Sequence, residues 1–386
     1  MVKDLSNTKD YLIDIASESK YSGQDEEYRE AFTKWRTKDN NRFGYKYVKD
    51  TREHTYAFGE GFENDLASDS ERESLKFCSN LIGGTMLISA VIRLFQVMFD
   101  SRAGHLLAGS SIEVYGNTHP TDISATIVLS LFKPLSLLIS IFFIAMFTKL
   151  PKKVFMPRGT KIPKRHTLCL FGVVGGCAAV CYVVSAILGM VFGTQLMSVP
   201  GGFVWCDSVG LNIHCFGVQY FITPVLHAIL MNGLILQLLR QFGDSTAIML
   251  TAAVESIMAI NFINIGTHFV LSIIISILTI KTGSLLCAIA GRVEINLIFF
   301  ALKLINTENA DNAGGELYML LVCIFIIGIA LFCIGRLISF EDYKVNIKSA
   351  DTELVFRDKL KTFVTAMPTI TWLAASGVVW LYIMVS

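Results

Sequence analysis

Seven ionisable residues stand well inside otherwise apolar stretches of the chain: Arg93, Lys133, His227, Glu255, His268, Arg292 and Glu294. In hydrocarbon each costs about 2.5–3.5 kcal/mol on insertion scales, so such residues mark functional sites and must find partners. Four of them, His227, Glu255, Arg292 and Glu294, fall within 218–305, which also carries Asn232, Asn261, Asn264 and Asn296. Convergence of these side chains on one inward cavity is one expectation. Helix–helix glue through scattered hydrogen bonds is the other. Arg292 and Asn296 lie one helical turn apart on a shared face, with Glu294 on the opposite side. Glu255 is therefore the expected partner of Arg292, with Asn232, Asn261 and His227 nearby. The competing arrangement turns Glu255 to another helix and lets Arg292 snorkel to the interface. His227 and His268 are far apart in sequence, and no H-E-x-x-H or paired-carboxylate spacing exists. No metal and no cofactor is expected.

The elements that position these residues are membrane helices. The 386 residues are 53% hydrophobic and only 17% charged, with a mean hydropathy of +0.53. Charge is concentrated in residues 1–78 and then leaves long continuous apolar runs. Runs of about 20 residues cross a bilayer core as helices. Continuous rather than alternating hydrophobicity excludes a barrel. The expected fold is an all-α polytopic bundle of about nine transmembrane helices behind a polar N-terminal helical region. The spans are 80–99, 125–147, 168–192, 218–239, 247–265, 267–281, 284–305, 317–338 and 367–385. The organisation is 1–78, a polar cytoplasmic region; 79–217, three spans with their loops; 218–305, the core helices; and 306–386, two spans with an amphipathic connector.

Orientation follows from the basic loop 148–166, which carries Lys149, Lys152, Lys153, Arg158, Lys161, Lys164 and Arg165 without an acid. Such loops stay cytoplasmic. The N-terminus is then inside and the C-terminus outside, in an integral membrane protein expected in the cell membrane. No signal peptide is visible, so the first span is expected to target the chain. A net charge of +1 offers nothing to nucleic acid. The implied partners are the lipid bilayer and a protein bound through residues 1–78 or the core cavity.

Smaller signals refine this picture. Tyr28, Phe32 and Trp35 form a helical stripe. Ser70 to Glu73 has capping-box spacing ahead of the first span. Phe356, Leu360 and Phe363 recur at i, i+4, i+7 in a segment that either lies on the membrane surface, packs on the N-terminal region, or forms a solvated connector. Cys206 and Cys215 share a loop and either pair or remain free thiols.

One stretch carries a resemblance. Pro224-Val-Leu-His227-Ala-Ile-Leu-Met-Asn232-Gly233, a Gly-Asp turn, Ala247 to Asn261, and Lys281-Thr-Gly-Ser-Leu leading to Arg292-Val-Glu-Ile-Asn296 resemble the core of the CAAX-protease and bacteriocin-processing (CPBP, or Abi) family. Its members are intramembrane proteases with E-E-x-x-x-R, F-x-x-x-H and H-x-x-x-N on their catalytic helices. The resemblance implies a glutamate-activated water, with histidines and an asparagine around it. In this chain His227 and Ala228 stand at the glutamate pair, and Asn232 stands at the arginine, followed by the retained Gly233. Ile257 and Asn261 take the F-x-x-x-H positions, and Arg292 takes the last histidine. Asn296 alone keeps its family identity. No carboxylate remains to polarise water. The expected function is a non-catalytic membrane scaffold or regulator. A protease with a site rebuilt on His227 and Glu255 is the alternative, and a transporter component is a third reading.

Overall fold

A computed structural model describes residues 24–38, 41–45, 66–102, 123–159, 164–192, 209–259, 264–308, 313–339 and 354–385. The helices are α1 (Glu26–Arg36), α2 (Leu66–Arg102), α3 (Ile123–Thr148), the single-turn α4 (Lys152–Phe155), α5 (Lys164–Phe192), α6 (Val209–Phe242), α7 (Asp244–Ile257), α8 (Asn264–Thr282), α9 (Leu285–Glu308), α10 (Ala313–Ser339), α11 (Phe356–Val364) and α12 (Met367–Val385). Backbone satisfaction dictates this uniformity: in a bilayer only internally hydrogen-bonded elements survive. Among the described residues seven helices are long and apolar enough to cross a membrane, or eight if α11 and α12, bent by 71°, count as one span.

Several expected boundaries shift. The span expected at 247–265 is a helix of 14 residues, about 21 Å at 1.5 Å per residue and short of a bilayer core of about 30 Å. The next, expected as the short one, has 19 residues and is by itself long and apolar enough to cross. Apolar sequence continues through the junction, so hydropathy conceals where α7 stops. α6 starts at Val209, within what reads as a loop, and Cys215 is a buried free thiol on it. Cys206 lies outside the described residues. α2 starts at Leu66, so Ser70 to Glu73 is not its cap but part of its first turns.

Two apolar clusters organise the bundle. One joins α2, α3, α6 and α7 and incorporates Tyr28, Phe32 and Trp35 of the N-terminal helix together with Tyr45. The aromatic stripe is thus buried against the membrane helices. Trp35 Nε1 donates to Thr148 O at 2.8 Å, and Tyr28 Oη donates to Gln237 Oε1 at 2.6 Å. The other cluster packs α5, α8 and α9 with Met319 and Cys323 of α10. Small residues allow close helix approach: a Cβ on Gly176 of α5 would stand 2.1 Å from Ala330 Cβ of α10. The outward faces carry Phe95, Phe142, Phe325 and Phe332, each more than 60% exposed, as expected of surfaces whose solvent is lipid.

α11 is rotated from the simplest reading of its stripe. Lys359 and Phe363 are buried, while Phe356, Leu360 and Val364 are about two-fifths exposed. At 100° per residue these five positions form one arc, running from Lys359 and Phe363 at the core edge through Phe356 to Leu360 and Val364 at the lipid edge. Lys359 turns inward because it has partners there: Glu71 Oε1 at 3.2 Å and Phe242 O at 2.8 Å. The same carboxylate accepts from Leu354 N at 2.9 Å.

Candidate functional site

α6 is where the backbone departs from an ordinary helix. Val218–Ile222 and Ile229–Ile235 are π-helical, flanking the α-helical turn Thr223–Ala228. Pro224 lacks an N–H and so cannot close an i to i−4 bond, which accommodates the wider turn before it. The second π stretch has a geometric effect. In an α-helix a residue five positions on is turned by about 140°, whereas a π turn closes nearer to five residues. His227 and Asn232 therefore reach the same side of α6. Sequence periodicity offers no signal for this shift.

On that side stands Arg292 of α9. Its Nη1 and Nη2 donate to Glu255 Oε1 and Oε2 at 2.6 and 2.7 Å, a two-pronged pair with the carboxylate of α7. Its Nε and Nη2 both donate to Asn232 Oδ1, at 3.0 and 2.9 Å. The remaining Nη1 hydrogen faces His227 Nδ1 at 3.5 Å. All five guanidinium N–H groups are thus directed at acceptors. Glu255, Asn232 and Arg292 are 3%, 0% and 7% exposed. Planar, doubly bonded guanidinium–carboxylate pairs are the form in which charge is best carried away from water.

His227 Nδ1, facing a donor, must present its lone pair, which puts the imidazole proton on Nε2. Nε2 lies 3.8 Å from Glu255 Oε1, beyond hydrogen-bond length. It is buried and has no hydrogen-bond partner. His227 borders a cavity of roughly 70 Å³ that is also lined by Arg93, Lys133, Glu255 and His268. Pro134, inside α3 beside Lys133, removes one backbone hydrogen bond there.

Of the seven intramembrane ionisable residues, five thus line one cavity and a sixth, Arg292, is bonded to its wall. Glu294 is elsewhere: its Oε1 would stand 3.2 Å from a Cβ on Gly175 of α5. Among the positions aligned with the family motifs, His227, Asn232 and Arg292 come together. Ala228 is fully buried in the second apolar cluster and contributes packing. Asn296 is half-buried and makes no hydrogen bond to Arg292, Glu255 or Asn232. Asn261 lies outside the described residues. Sequence reasoning singled out Arg93, Lys133 and His268 as costly but gave no reason to join them to His227. The joining comes from α2, α3, α8 and α12 closing around the end of α7.

Glu255 has both oxygens engaged by one guanidinium. Among the described residues no group of three His, Cys, Asp or Glu side chains could hold a metal ion. No family model, curated protein or solved structure matches the chain.

Proposed function

We propose that this chain is a divergent, non-catalytic relative of the CPBP intramembrane proteases that acts as a membrane scaffold or regulator. In this reading the protein lies in the cell membrane with its N-terminus inside, following the basic loops, and engages a protein partner through residues 1–78 or through the core cavity. One observation carries the proposal. The only carboxylate among the described residues lining the cavity, Glu255, is clamped by Arg292, whose other donors are taken by Asn232 and directed at His227. A general base needs a free acceptor within reach of a water proton, and here both oxygens of that carboxylate already accept from one guanidinium.

The test is cleavage of a library of membrane-segment peptides by the purified protein in proteoliposomes, beside Glu255→Ala and His227→Ala. The expected result is no cleavage above the level of the variants. Cleavage abolished by either substitution would overturn the proposal. It would establish the second reading, a rebuilt protease site, which is favoured by His227 Nε2 and Glu255 bordering the same cavity.

A further inference from the structure

α7 stops inside the membrane, and the helices around its end do not. Its first residue, Asp244, acts electrostatically on Lys281 at the end of α8, and Ser284 just beyond pairs with Arg158 of the basic loop. The start of α7 is therefore on the basic-loop side, and its 14 residues carry it about 21 Å inward. The neighbouring helices reach further toward the opposite face. α2 continues about 14 Å past Arg93, α3 begins about 15 Å before Lys133, and α12 continues about 8 Å past Trp380. Those three residues line the cavity together with Ile257, Met258 and Ala259. The cavity is thus a recess standing over the end of α7.

The recess is polar at a depth where hydrocarbon would otherwise lie. A helix end leaves carbonyls without intrahelical donors, and such backbone is tolerated within a bilayer only inside protein or beside water. Trp380 Nε1 donates to Ala259 O, just past that end, at 2.7 Å. Ser89, Ser136 and Ser376 add hydroxyls to the lining. Ser136 Oγ donates to Lys133 O at 2.8 Å, which leaves its oxygen lone pairs to accept. His227 supplies the complementary donor, an Nε2–H that is buried and has no hydrogen-bond partner. The volume of roughly 70 Å³ is room for about five waters at about 10–15 Å³ each. We propose that this recess is filled with water and opens on the face opposite the basic loop, so that small hydrophilic species reach His227 and the Arg292–Glu255 pair from that side alone. Entry from that face goes beyond the scaffold reading and holds whether or not the core cleaves peptides.

Ser136→Cys and Ser376→Cys place thiols in the recess. Leu135→Cys and Val378→Cys place them beside it on the lipid faces of α3 and α12, where the native residues are 49% and 57% exposed. The full chain is reconstituted in sealed vesicles of known orientation and treated with silver ion in chloride-free buffer. Silver ion is close to water in size and does not cross lipid; it replaces the thiol proton and blocks later alkylation by N-ethylmaleimide. Mass spectrometry of each peptide reads the block and separates the new thiols from the native ones. The recess sites should be blocked at least about tenfold faster than their lipid-facing neighbours, because a thiolate forms in water and is costly in hydrocarbon. They should be blocked only with silver on the face opposite the basic loop. A second measurement uses the wild-type protein: hydroxyl radicals made from water by radiolysis oxidise methionine to the sulfoxide. Met258, which lines the recess, should be oxidised at least about tenfold faster than Met231, fully buried on α6. Recess thiols blocked no faster than lipid-facing ones, or blocked by silver on the basic-loop face, would overturn the proposal. So would equal oxidation of Met258 and Met231, which requires no variant to fold.

Discussion

Consider replacing Arg292 with methionine, which keeps much of the side-chain length and removes the charge. Glu255 loses both of its short bonds and Asn232 loses the two donors shared by its Oδ1. Breaking a buried pair by deleting one partner costs about 3–5 kcal/mol, because the other charge is left uncompensated. Glu255→Met should cost a similar amount, since it strands the guanidinium. The double variant removes both charges and leaves an apolar contact of similar volume, which is often close to neutral. The two substitutions should therefore be far from additive, with a coupling of at least about 3 kcal/mol, more than a hundredfold in the folding equilibrium. The membrane moderates the size, because the denatured chain also finds polar partners in lipid. The sign is unaffected. The assay is reversible unfolding in mixed micelles titrated with sodium dodecyl sulfate, followed by circular dichroism for wild type, both singles and the double. Additive losses in the double variant would refute the view that these residues act as one unit. Unchanged stability in either single would do the same.

Other outcomes follow from the same contacts. Glu71→Ala should cost about 3–5 kcal/mol, since it strands Lys359 inside the α2–α11 contact, and Lys359→Met should recover most of that loss in the same unfolding assay. Gly233→Ala should destabilise the protein, because the new methyl would stand 2.7 Å from Phe155 O, a backbone atom with little freedom to move; the readout is the thermal midpoint. Tyr28 is buried on α1, and burial raises its phenol from 10.0 to about 12. The folded form then keeps the proton longer than the unfolded form, so its contribution is intact below pH 10 and is lost as pH rises to about 12. Two units correspond to at most about 2.7 kcal/mol. Wild-type stability should fall relative to Tyr28→Phe across that window. A constant difference from pH 9 to pH 12 would exclude the phenol as the cause.

Much of this architecture is legible in the residues. The hydropathy runs locate most of the membrane-crossing helices, since lipid imposes one rule on every such segment. The stripe of Tyr28, Phe32 and Trp35 is visible as α1, and Arg292 points to Glu255 because an intramembrane guanidinium needs an anion and few are available. Other features leave no trace in a periodicity. The break after Ile257 is hidden because apolar composition does not change there. The π stretches that bring His227 and Asn232 to one side of α6 depend on a small change of winding that no residue pattern announces. The inward turn of Lys359 depends on Glu71, distant in sequence, and on a carbonyl at the end of α6. In each case the deciding partner lies on another helix, and a single-segment pattern cannot name it.

The polar core is not isolated from the N-terminal region. Tyr28 Oη donates to Gln237 Oε1, and Gln237 Nε2 donates to Asn232 O at 3.2 Å. Asn232 Oδ1 in turn accepts from Arg292, which holds Glu255 beside the cavity. Every link is buried, and a buried group deprived of its partner costs about 1–3 kcal/mol. Displacing α1 would therefore be felt at Asn232 through Gln237 rather than absorbed at the surface. Contiguity alone does not demonstrate coupling; a shared energy does. If the network is one unit, Tyr28→Phe and Asn232→Ala should together cost less than the sum of their separate effects, although their positions lie on different helices. Strict additivity would mean that the N-terminal helix is a lid fastened to the bundle and the cavity residues respond only to one another.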